Sequence, residues 1–186
     1  MIHDPALVER AEVLREKGTD RSKFFRGLVD KYTWVDVGSS YVLSDLLAAY
    51  LLAQLECRER VQQARTRLFA RYQEAFAGLA GSGALRLPVV PADCEQAYHM
   101  FYMLLSSVEA RGALIRHLKT QDILAVFPYV PLHLSPMGWR FGYTEADCPV
   151  TQDISGRLVR LPFYNTMTEE EQARVICAVR AFFWAT

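Results

Sequence analysis

Apolar residues recur every three or four positions in several segments of the chain, a spacing typical of helices that bury one face. The first such segment begins near Asp4, a favourable N-cap followed by Pro5, and ends before Gly18. A longer one runs from Ser44 to about Leu79; its first half is apolar on nearly all sides and its second half is amphipathic. The pattern therefore predicts a short opening helix and one long helix of roughly 50 Å.

Residues 19–42, between these two helices, lack such periodicity, and basic and aromatic side chains are interleaved along them. A loop of this length in a compact domain is often functional. Arg26, Lys31 and Tyr32 combine cations with an aromatic ring, which suits a charged and partly planar ligand such as a nucleotide diphosphate. A solvated basic loop without a ligand is the alternative interpretation of the same residues.

The remaining residues, 81–186, predict a smaller α+β unit. An irregular loop is expected at 130–150 because proline and glycine recur there. Thr168 followed by Glu171 forms a capping box, which predicts that the last helix begins there. The other predicted elements are strands at 85–90, 98–105 and 123–129 and helices at 111–120 and about 152–159.

Composition narrows the classes of function. The 21 Lys+Arg residues balance 21 Asp+Glu residues, so the chain lacks the basic excess of a typical nucleic-acid binder. No apolar run approaches the roughly 20 residues of a transmembrane helix, and the N-terminal residues lack the pattern of a signal peptide. The cysteines show no metal-ligand spacing, so we expect reduced thiols, no metal site and a cytoplasmic location.

Several segments together resemble the DegT/DnrJ/StrS family of sugar aminotransferases, over essentially the whole chain. Gly38–Leu55 is similar to the family's Gly-x-Asn-x-Arg loop and the helix that follows it. Residues 98–102, the Tyr-Val-Pro-Leu-His run at 129–133, and residues 160–165 are similar to three further family elements. The resemblance implies the fold type I of pyridoxal-phosphate-dependent transferases, an α/β fold with α+β character in this portion.

The same resemblance implies three parts. Residues 1–43 correspond to the end of the large cofactor-binding domain with an active-site loop, residues 44–80 to a connecting helix, and residues 81–186 to the small C-terminal domain with a short antiparallel sheet and packed helices. Family members hold pyridoxal phosphate on a lysine in a Ser-Phe-His-x-Thr-Lys segment, and no lysine of this chain has that context. The chain is therefore expected to be the C-terminal portion of a longer enzyme, to contain no catalytic residue, and to be inactive alone.

Ser40 stands where the family has an Asn that reaches across the dimer to the cofactor phosphate, so the resemblance implies that Ser39 and Ser40 bind the cofactor. A hydroxyl just before a helix can donate to a phosphate, and the helix N-terminus favours an anion. The alternative is that these serines only cap and turn the chain. Val42, where many relatives have Arg, and Pro128, where they often have His, depart from the family pattern.

Tyr129 and His133 lie at the end of a predicted strand and in the loop after it, a suitable place for substrate contacts. The resemblance implies transfer of an amino group from glutamate to the 4-keto carbon of a dTDP-linked 6-deoxy sugar. A homodimer is expected because the apolar first half of the long helix needs a covering surface. Two other classes remain open: an interaction module that reuses the small domain, and a nucleotide-sugar binder without chemistry.

Overall fold

The structure is a computed structural model that describes residues 2–184. The chain divides into two compact units, Met1–Cys57 and Arg58–Thr186. The predicted division into three parts, with boundaries after residues 43 and 80, stays a prediction. Among residues 2–184, no helix is both long enough and apolar enough to cross a lipid bilayer.

The first unit begins as the sequence predicts. Asp4 is the N-cap, because its carboxylate accepts from the backbone amide of Ala6 at 2.9 Å. Gly18 adopts a φ of +73°, and a Cβ there would lie 1.7 Å from the carbonyl oxygen of Asp36, so only glycine fits this close approach. The helices of this unit are Val8–Arg15 (α1), which follows a 3-10 turn at Pro5–Leu7, Arg21–Phe25 (α2) and Asp45–Glu56 (α3).

The segment 19–42 is more ordered than the loop that the sequence predicts. It contains α2 and takes part in two antiparallel bridges. Glu16, just after α1, pairs with Ser40, and Thr19 pairs with Trp34 within the segment. Isolated bridges leave no alternating pattern in the sequence, and a five-residue helix is too short to show a period of 3.6. Backbone pairing across the segment therefore supplies order that periodicity could not reveal.

The prediction of one long helix is wrong. α3 ends at Glu56, and a separate helix, Arg58–Gly81 (α4), begins after Cys57, which lies at the boundary between the two units. Because apolar spacing continues through this point, periodicity does not detect an interruption of one residue. The predicted start is confirmed, since the Ser44 hydroxyl accepts from the amide of Leu47 at 3.4 Å.

In residues 58–184, helices pack with a short antiparallel sheet of order β1–β2–β3, which confirms the predicted α+β character. The strands pair Leu85 with Leu105 and Met103 with Val159. The elements after α4 are Leu85–Arg86 (β1), Tyr102–Leu105 (β2), Val108–Lys119 (α5), Pro136–Arg140 (α6), Pro149–Arg157 (α7), Leu158–Arg160 (β3) and Glu169–Trp184 (α8).

Several predicted boundaries in this unit need correction. The strands expected at 85–90 and 98–105 shorten to β1 and β2, and the strand expected at 123–129 makes only one bridge, from Val126 to Arg160. The third strand is β3, which lies where the sequence predicts the end of a helix, because three residues carry too little pattern to be detected. The expected loop at 130–150 contains a 3-10 helix, Leu132–Leu134, and α6.

The core of the second unit is an aromatic and aliphatic cluster supplied by α4, the sheet, α5 and α8. The fully buried rings of Tyr72, Phe76 and Phe101 have centroids 4.9 to 6.3 Å apart. Burial raises the pKa of Tyr72, whose hydroxyl donates to the carbonyl of Pro162 at 3.0 Å. The side-chain amide of buried Gln172 donates to the carbonyl of Leu68 at 2.7 Å, which ties α8 to α4.

The capping box of α8 is confirmed. The backbone amide of Glu171 donates to the hydroxyl of Thr168 at 3.2 Å, and the Glu171 carboxylate accepts from the amide of Thr168 at 2.8 Å. The Thr168 amide, followed by the Tyr164 hydroxyl, lowers the pKa of Glu171 because both donate to the ionised form. This reciprocal pair places the buried face of α8 against the core.

Candidate functional site

The predicted site residues form two sets, one in each unit. Ser39 and Ser40, in the first unit, run beside the end of α1: the amide of Ser39 donates to the carbonyl of Leu14 at 2.9 Å, and its carbonyl accepts from the amide of Lys17 at 3.1 Å. Both serines are exposed, and their hydroxyls make no hydrogen bond within residues 2–184. Ser44, and not Ser39 or Ser40, is the N-cap of α3. The hydroxyls of Ser39 and Ser40 are therefore available to an anion such as a phosphate.

The predicted diphosphate ligands, Arg26, Lys31 and Tyr32, lie in the same unit. The ring of Tyr32 packs edge-on against Phe24, with centroids 5.6 Å apart. Lys31 is exposed and forms no ion pair with another described residue. Arg26 instead pairs with the carboxylate of Glu12, so a ligand would have to compete with that carboxylate for it. Lys31 is therefore the more accessible cation of the predicted set.

Arg21 is a residue that the sequence reasoning did not select. Its guanidinium lies 5.1 Å from the ring of Phe25 and 5.8 Å from that of Tyr32, and it also pairs with Glu16 at 3.0 Å. Residues four positions apart lie on one face of a helix, so the spacing of Arg21 and Phe25 in the sequence could have indicated this contact. The ion pairs of this unit are Arg10 with Asp36, Arg21 with Glu16, Lys23 with Glu9, and Arg26 with Glu12.

The lysines of the chain do not suit a covalently bound cofactor. Lys17, Lys31 and Lys119 are exposed, and Lys23 pairs with Glu9, whose pKa is lowered mainly by the hydrogen bond from Lys23. An amine that attacks a carbonyl must be neutral, which a protein achieves by burial or by a neighbouring cation. The residues present therefore fit a contact to the phosphate of pyridoxal phosphate through Ser39 and Ser40, but not its covalent anchor.

The second set of residues lies near a cavity of about 580 Å³ in the second unit. The cavity lies among the 3-10 helix Leu132–Leu134, α6 and the start of α7, and its lining is mostly apolar. His133 lines it, whereas Tyr129 is 92% exposed and lies outside its lining. Tyr129 was expected at the end of a strand and His133 in the loop after it. No regular strand forms at 123–129, and His133 lies in the 3-10 helix.

His133 is the most unusual side chain of this cavity. It is only 7% exposed, and its Nε2 is buried without a hydrogen-bond partner among the described residues. Buried polar groups nearly always have a partner, so this nitrogen needs an explanation. Nearby, the backbone amide and then the hydroxyl of Thr144 lower the pKa of Asp147, because both donate to its ionised carboxylate.

The backbone around the cavity is closely packed. The hydroxyl of Ser135 donates to the carbonyl of Leu132 at 2.7 Å and accepts from the amide of Gly138 at 3.1 Å, which caps α6. A Cβ at Gly138 would lie 2.2 Å from the carbonyl oxygen of Leu132, so the approach of α6 to the 3-10 helix requires glycine. Residues 2–184 contain no group of His, Cys, Asp and Glu placed to hold a metal ion.

Known proteins resemble this chain along almost its entire length. The model of the DegT/DnrJ/EryC1/StrS aminotransferase family matches residues 1–180. A dTDP-3-amino-3,4,6-trideoxy-alpha-D-glucose transaminase from Streptomyces venezuelae is 31% identical over 184 residues, which cover 98% of this chain and 44% of that protein. The spore coat polysaccharide biosynthesis protein SpsC of Bacillus subtilis is 30% identical over 185 residues, 95% of this chain and 47% of that protein.

A solved structure with the same fold is that of DesV from S. venezuelae, described as a complex with a ketimine intermediate. It matches with a TM-score of 0.82 at 30% identity and covers 98% of this chain and 45% of DesV. The chain thus spans about half the length of the relatives it matches.

Proposed function

Because the chain belongs to the DegT/DnrJ/EryC1/StrS aminotransferase family, we propose that it acts as the C-terminal part of a sugar aminotransferase. The observation that carries this proposal is the family match over residues 1–180. The cofactor of the family is pyridoxal phosphate. For the complete enzyme we propose transfer of an amino group from glutamate to the 4-keto carbon of a dTDP-linked 6-deoxyhexose, in the cytoplasm.

The finer proposal is formation of dTDP-4-amino-4,6-dideoxygalactose for a cell-surface polysaccharide such as enterobacterial common antigen. It is supported by Arg15–Arg21, Phe24–Gly27 and Asp30–Trp34, which resemble the transaminase that makes this sugar. SpsC is by name a polysaccharide biosynthesis protein, whereas the S. venezuelae relative is named for a 3-amino sugar. Relatives thus differ in the sugar for which they are named, and the product of this protein must be measured.

Each predicted site residue has a role in this proposal. When bound, pyridoxal phosphate supplies the electron sink that transamination needs. The hydroxyls of Ser39 and Ser40 donate to its phosphate. Lys31 and Arg26 bind a diphosphate, with Tyr32 beside them. In the second unit, Tyr129 and His133 contact a sugar. The exposure of Ser40, Lys31 and Tyr129 supports these contacts.

α3 supports the proposal that the chain acts within a larger assembly. None of its residues is buried, although it consists mainly of apolar residues. Large exposed apolar patches usually mark interaction surfaces. We therefore propose that α3 packs against the cofactor-binding part of a homodimeric enzyme. Its large apolar side chains, exposed by 45% to 85%, are Leu46, Leu47, Tyr50, Leu51, Leu52 and Leu55.

The test joins this chain to the N-terminal part of the S. venezuelae relative, which this chain does not match. The chimera is incubated with pyridoxal phosphate, glutamate and a dTDP-4-keto-6-deoxy sugar, and the amino sugar is detected by mass spectrometry. We expect product from the chimera and none from the present chain alone. The matched control replaces the cofactor lysine of the added part by alanine and should form no product.

Two outcomes would contradict the proposal. One is a chimera that folds and shows cofactor absorbance but forms no amino sugar from any dTDP-keto sugar. The other is amino-sugar formation by the present chain alone, with pyridoxal phosphate bound as an aldimine to one of its own lysines. Saturable binding of the nucleotide sugar by a chimera that forms no product would favour a binder without chemistry.

A further inference from the structure

Another cleft of the second unit lies between α4 and the start of α8, and none of its lining residues has a role in the function proposed above. Its volume is about 280 Å³. Two arginines of α4, Arg67 and Arg71, line it, and Glu169 is the one acidic residue among its described lining residues. Residues four positions apart lie on the same face of a helix, so both guanidinium groups approach the cleft from one side.

Both arginines have hydrogen-bond donors that a ligand can reach. The side chain of Arg67 is exposed and makes no hydrogen bond or ion pair with another residue among residues 2–184. Nη1 of Arg71 donates to the backbone carbonyl of Glu169 at 3.0 Å, which fixes this guanidinium beside the cleft. Nε and Nη2 of Arg71 have no partner among the described residues, and neither is buried.

Glu169 does not neutralise the two arginines. Its Oε2 lies 4.0 Å from Arg71 Nη1, at the limit of an ion pair, and its side chain is 90% exposed. Ion pairs between exposed side chains contribute little, so this carboxylate can turn away from a bound anion at small cost. Like charges at positions i and i+4 destabilise a helix, and an anion between Arg67 and Arg71 would relieve their repulsion.

The rest of the cleft suits a compact anion. Leu68 and Met167 are buried residues of its lining, and apolar surroundings strengthen electrostatic attraction by excluding water. Asn165 also lines it; its Oδ1 accepts from Arg65 Nε at 2.8 Å, so its amide nitrogen is a further donor. The volume is slightly below the roughly 300–1,000 Å³ of typical small-molecule sites, which favours a group as small as phosphate.

We propose that Arg67 and Arg71 bind a phosphate group in this cleft, either as inorganic phosphate or as part of a small phosphate monoester. The planar fork of a guanidinium matches two oxygens of a phosphate, and two such forks complement its double negative charge. The side chains of α4 carry this proposal rather than the end of α8, where the Glu171 amide already donates to Thr168. The site is separate from the residues proposed for amino transfer and does not depend on that function.

The experiment uses the full chain, uniformly labelled with ¹⁵N, and sodium phosphate as the probe. Phosphate is titrated at about pH 7.5 while sodium chloride is lowered to keep the ionic strength constant, which separates binding from screening. Backbone amide and arginine Nε resonances are followed by NMR. We expect saturable shifts at Arg67, Arg71 and residues 164–172, with a Kd on the order of 1 mM for so small an anion.

Two organic probes define the ligand. Methyl phosphate carries nearly two negative charges at this pH, whereas methyl sulfate carries one, so methyl sulfate should bind at least about fivefold more weakly. Binding of methyl phosphate at least as tight as that of inorganic phosphate would assign the cleft to a phosphate monoester. Binding of inorganic phosphate alone would assign it to the free ion, and either result supports a phosphate site.

A matched set of variants locates the site. Arg67→Gln removes one charged donor pair and should weaken phosphate binding about tenfold, without affecting folding, because this exposed side chain has no partner among the described residues. Arg67→Lys keeps the charge but loses the planar fork and should give an intermediate affinity. The control is Arg58→Gln, at an exposed arginine of α4 outside the cleft, which should leave the affinity unchanged.

Three results would overturn the inference. The first is the absence of saturable shifts at residues 164–172 with both inorganic phosphate and methyl phosphate. The second is equal affinity for methyl phosphate and methyl sulfate, which would mean that the cleft does not recognise a doubly charged group. The third is an equal loss of affinity in Arg67→Gln and Arg58→Gln, which would indicate a general attraction to α4. These measurements need no cofactor, so they are independent of the chimera.

Discussion

The two units of the chain differ in how they arrange their apolar residues. In the second unit, α4, α5, α8 and the sheet enclose one cluster around Tyr72, Phe76 and Phe101. In the first unit, Val13 is the only buried apolar side chain among residues 2–57, and α3 exposes leucines throughout its length. Both units contain capped helices, so local signals alone do not produce a core.

This difference in burial predicts which part of the chain is stable in isolation. A segment of about 60 residues is marginal even when it buries most of its apolar surface, and the first unit buries little. Its order comes from backbone bridges, the ion pairs of α1 and α2, and the cap at Ser44. We therefore expect the second unit to be stable and the first to depend on a covering surface.

Substitution in the core of the second unit should have the largest effect. Phe101→Ala removes a fully buried ring that contacts three other aromatic rings and should lower the free energy of unfolding by about 4 kcal/mol. Urea unfolding followed by circular dichroism measures it. The control, Phe25→Ala in the first unit, removes a ring that is 69% exposed and should change this free energy by less than about 0.5 kcal/mol. Similar losses for both variants would remove the distinction between the units.

Hydrogen exchange should show the next largest difference. In the isolated chain, amides in α3 should exchange on the order of 100-fold faster than those in α8, because α8 opens only when the core opens. Mass spectrometry of peptides after timed deuteration measures both helices in one sample. Equal protection of α3 and α8 would mean that α3 is covered, for example by a second copy of the chain. Adding the partner part of the enzyme should slow exchange in α3 specifically.

Helix caps provide a smaller test. Thr168→Ala removes the hydroxyl that accepts from Glu171 and should destabilise the second unit by about 1 kcal/mol. Ser44→Ala removes the corresponding cap of α3, yet it should leave the main unfolding transition unchanged because α3 does not contribute to that core. Chemical denaturation of the two variants compares them directly. A loss from Ser44→Ala as large as that from Thr168→Ala would show that α3 folds with the second unit.

The smallest effect should be a dependence on pH. The pKa of Glu171 lies below its ordinary value of 4.5, mainly because the amide of Thr168 donates to it. Its contribution to stability is therefore complete above that value and is lost as the pH falls through the lowered pKa of the folded state. In Glu171→Gln, the melting temperature should therefore decrease less between about pH 5 and pH 3 than it does in the unaltered chain. Glu9→Gln, in the first unit, should leave this pH dependence of the melting temperature unchanged, although Lys23 lowers the pKa of Glu9.

Local signals in the sequence predicted much of the fold. Asp4 and Ser44 as N-caps and the capping box of Thr168 and Glu171 are all confirmed, because each depends on hydrogen bonds within a few residues. The break at Cys57 and the short strand β3 were not predicted, since each involves too few residues to change a periodic pattern. The strand expected at 123–129 forms only a single bridge, between Val126 and Arg160 of β3.

In the candidate sites, too, the sequence predicted some features, whereas others were evident only in the folded structure. The sequence suggested Arg26 as a cation for a ligand, but only the structure revealed that Glu12 already pairs with it. It suggested His133 without any sign that Nε2 would be buried and unpaired. Ion pairs and burial depend on residues distant in sequence, so no motif that spans a few positions reports them. The missing anchor lysine, in contrast, was evident from residue identities alone.

Three properties follow from the amino-acid sequence alone: the family, the helices with strong caps, and the absence of a lysine in the context that would hold the cofactor. These properties depend on residue identity and short-range spacing, which are fully present in a linear chain. Folding, in contrast, is needed to see that the second unit has a core whereas no residue of α3 is buried, and that Nε2 of His133 is buried without a hydrogen-bond partner among the described residues. Burial is a property of the packed molecule, because it depends on which distant residues exclude water from a given atom.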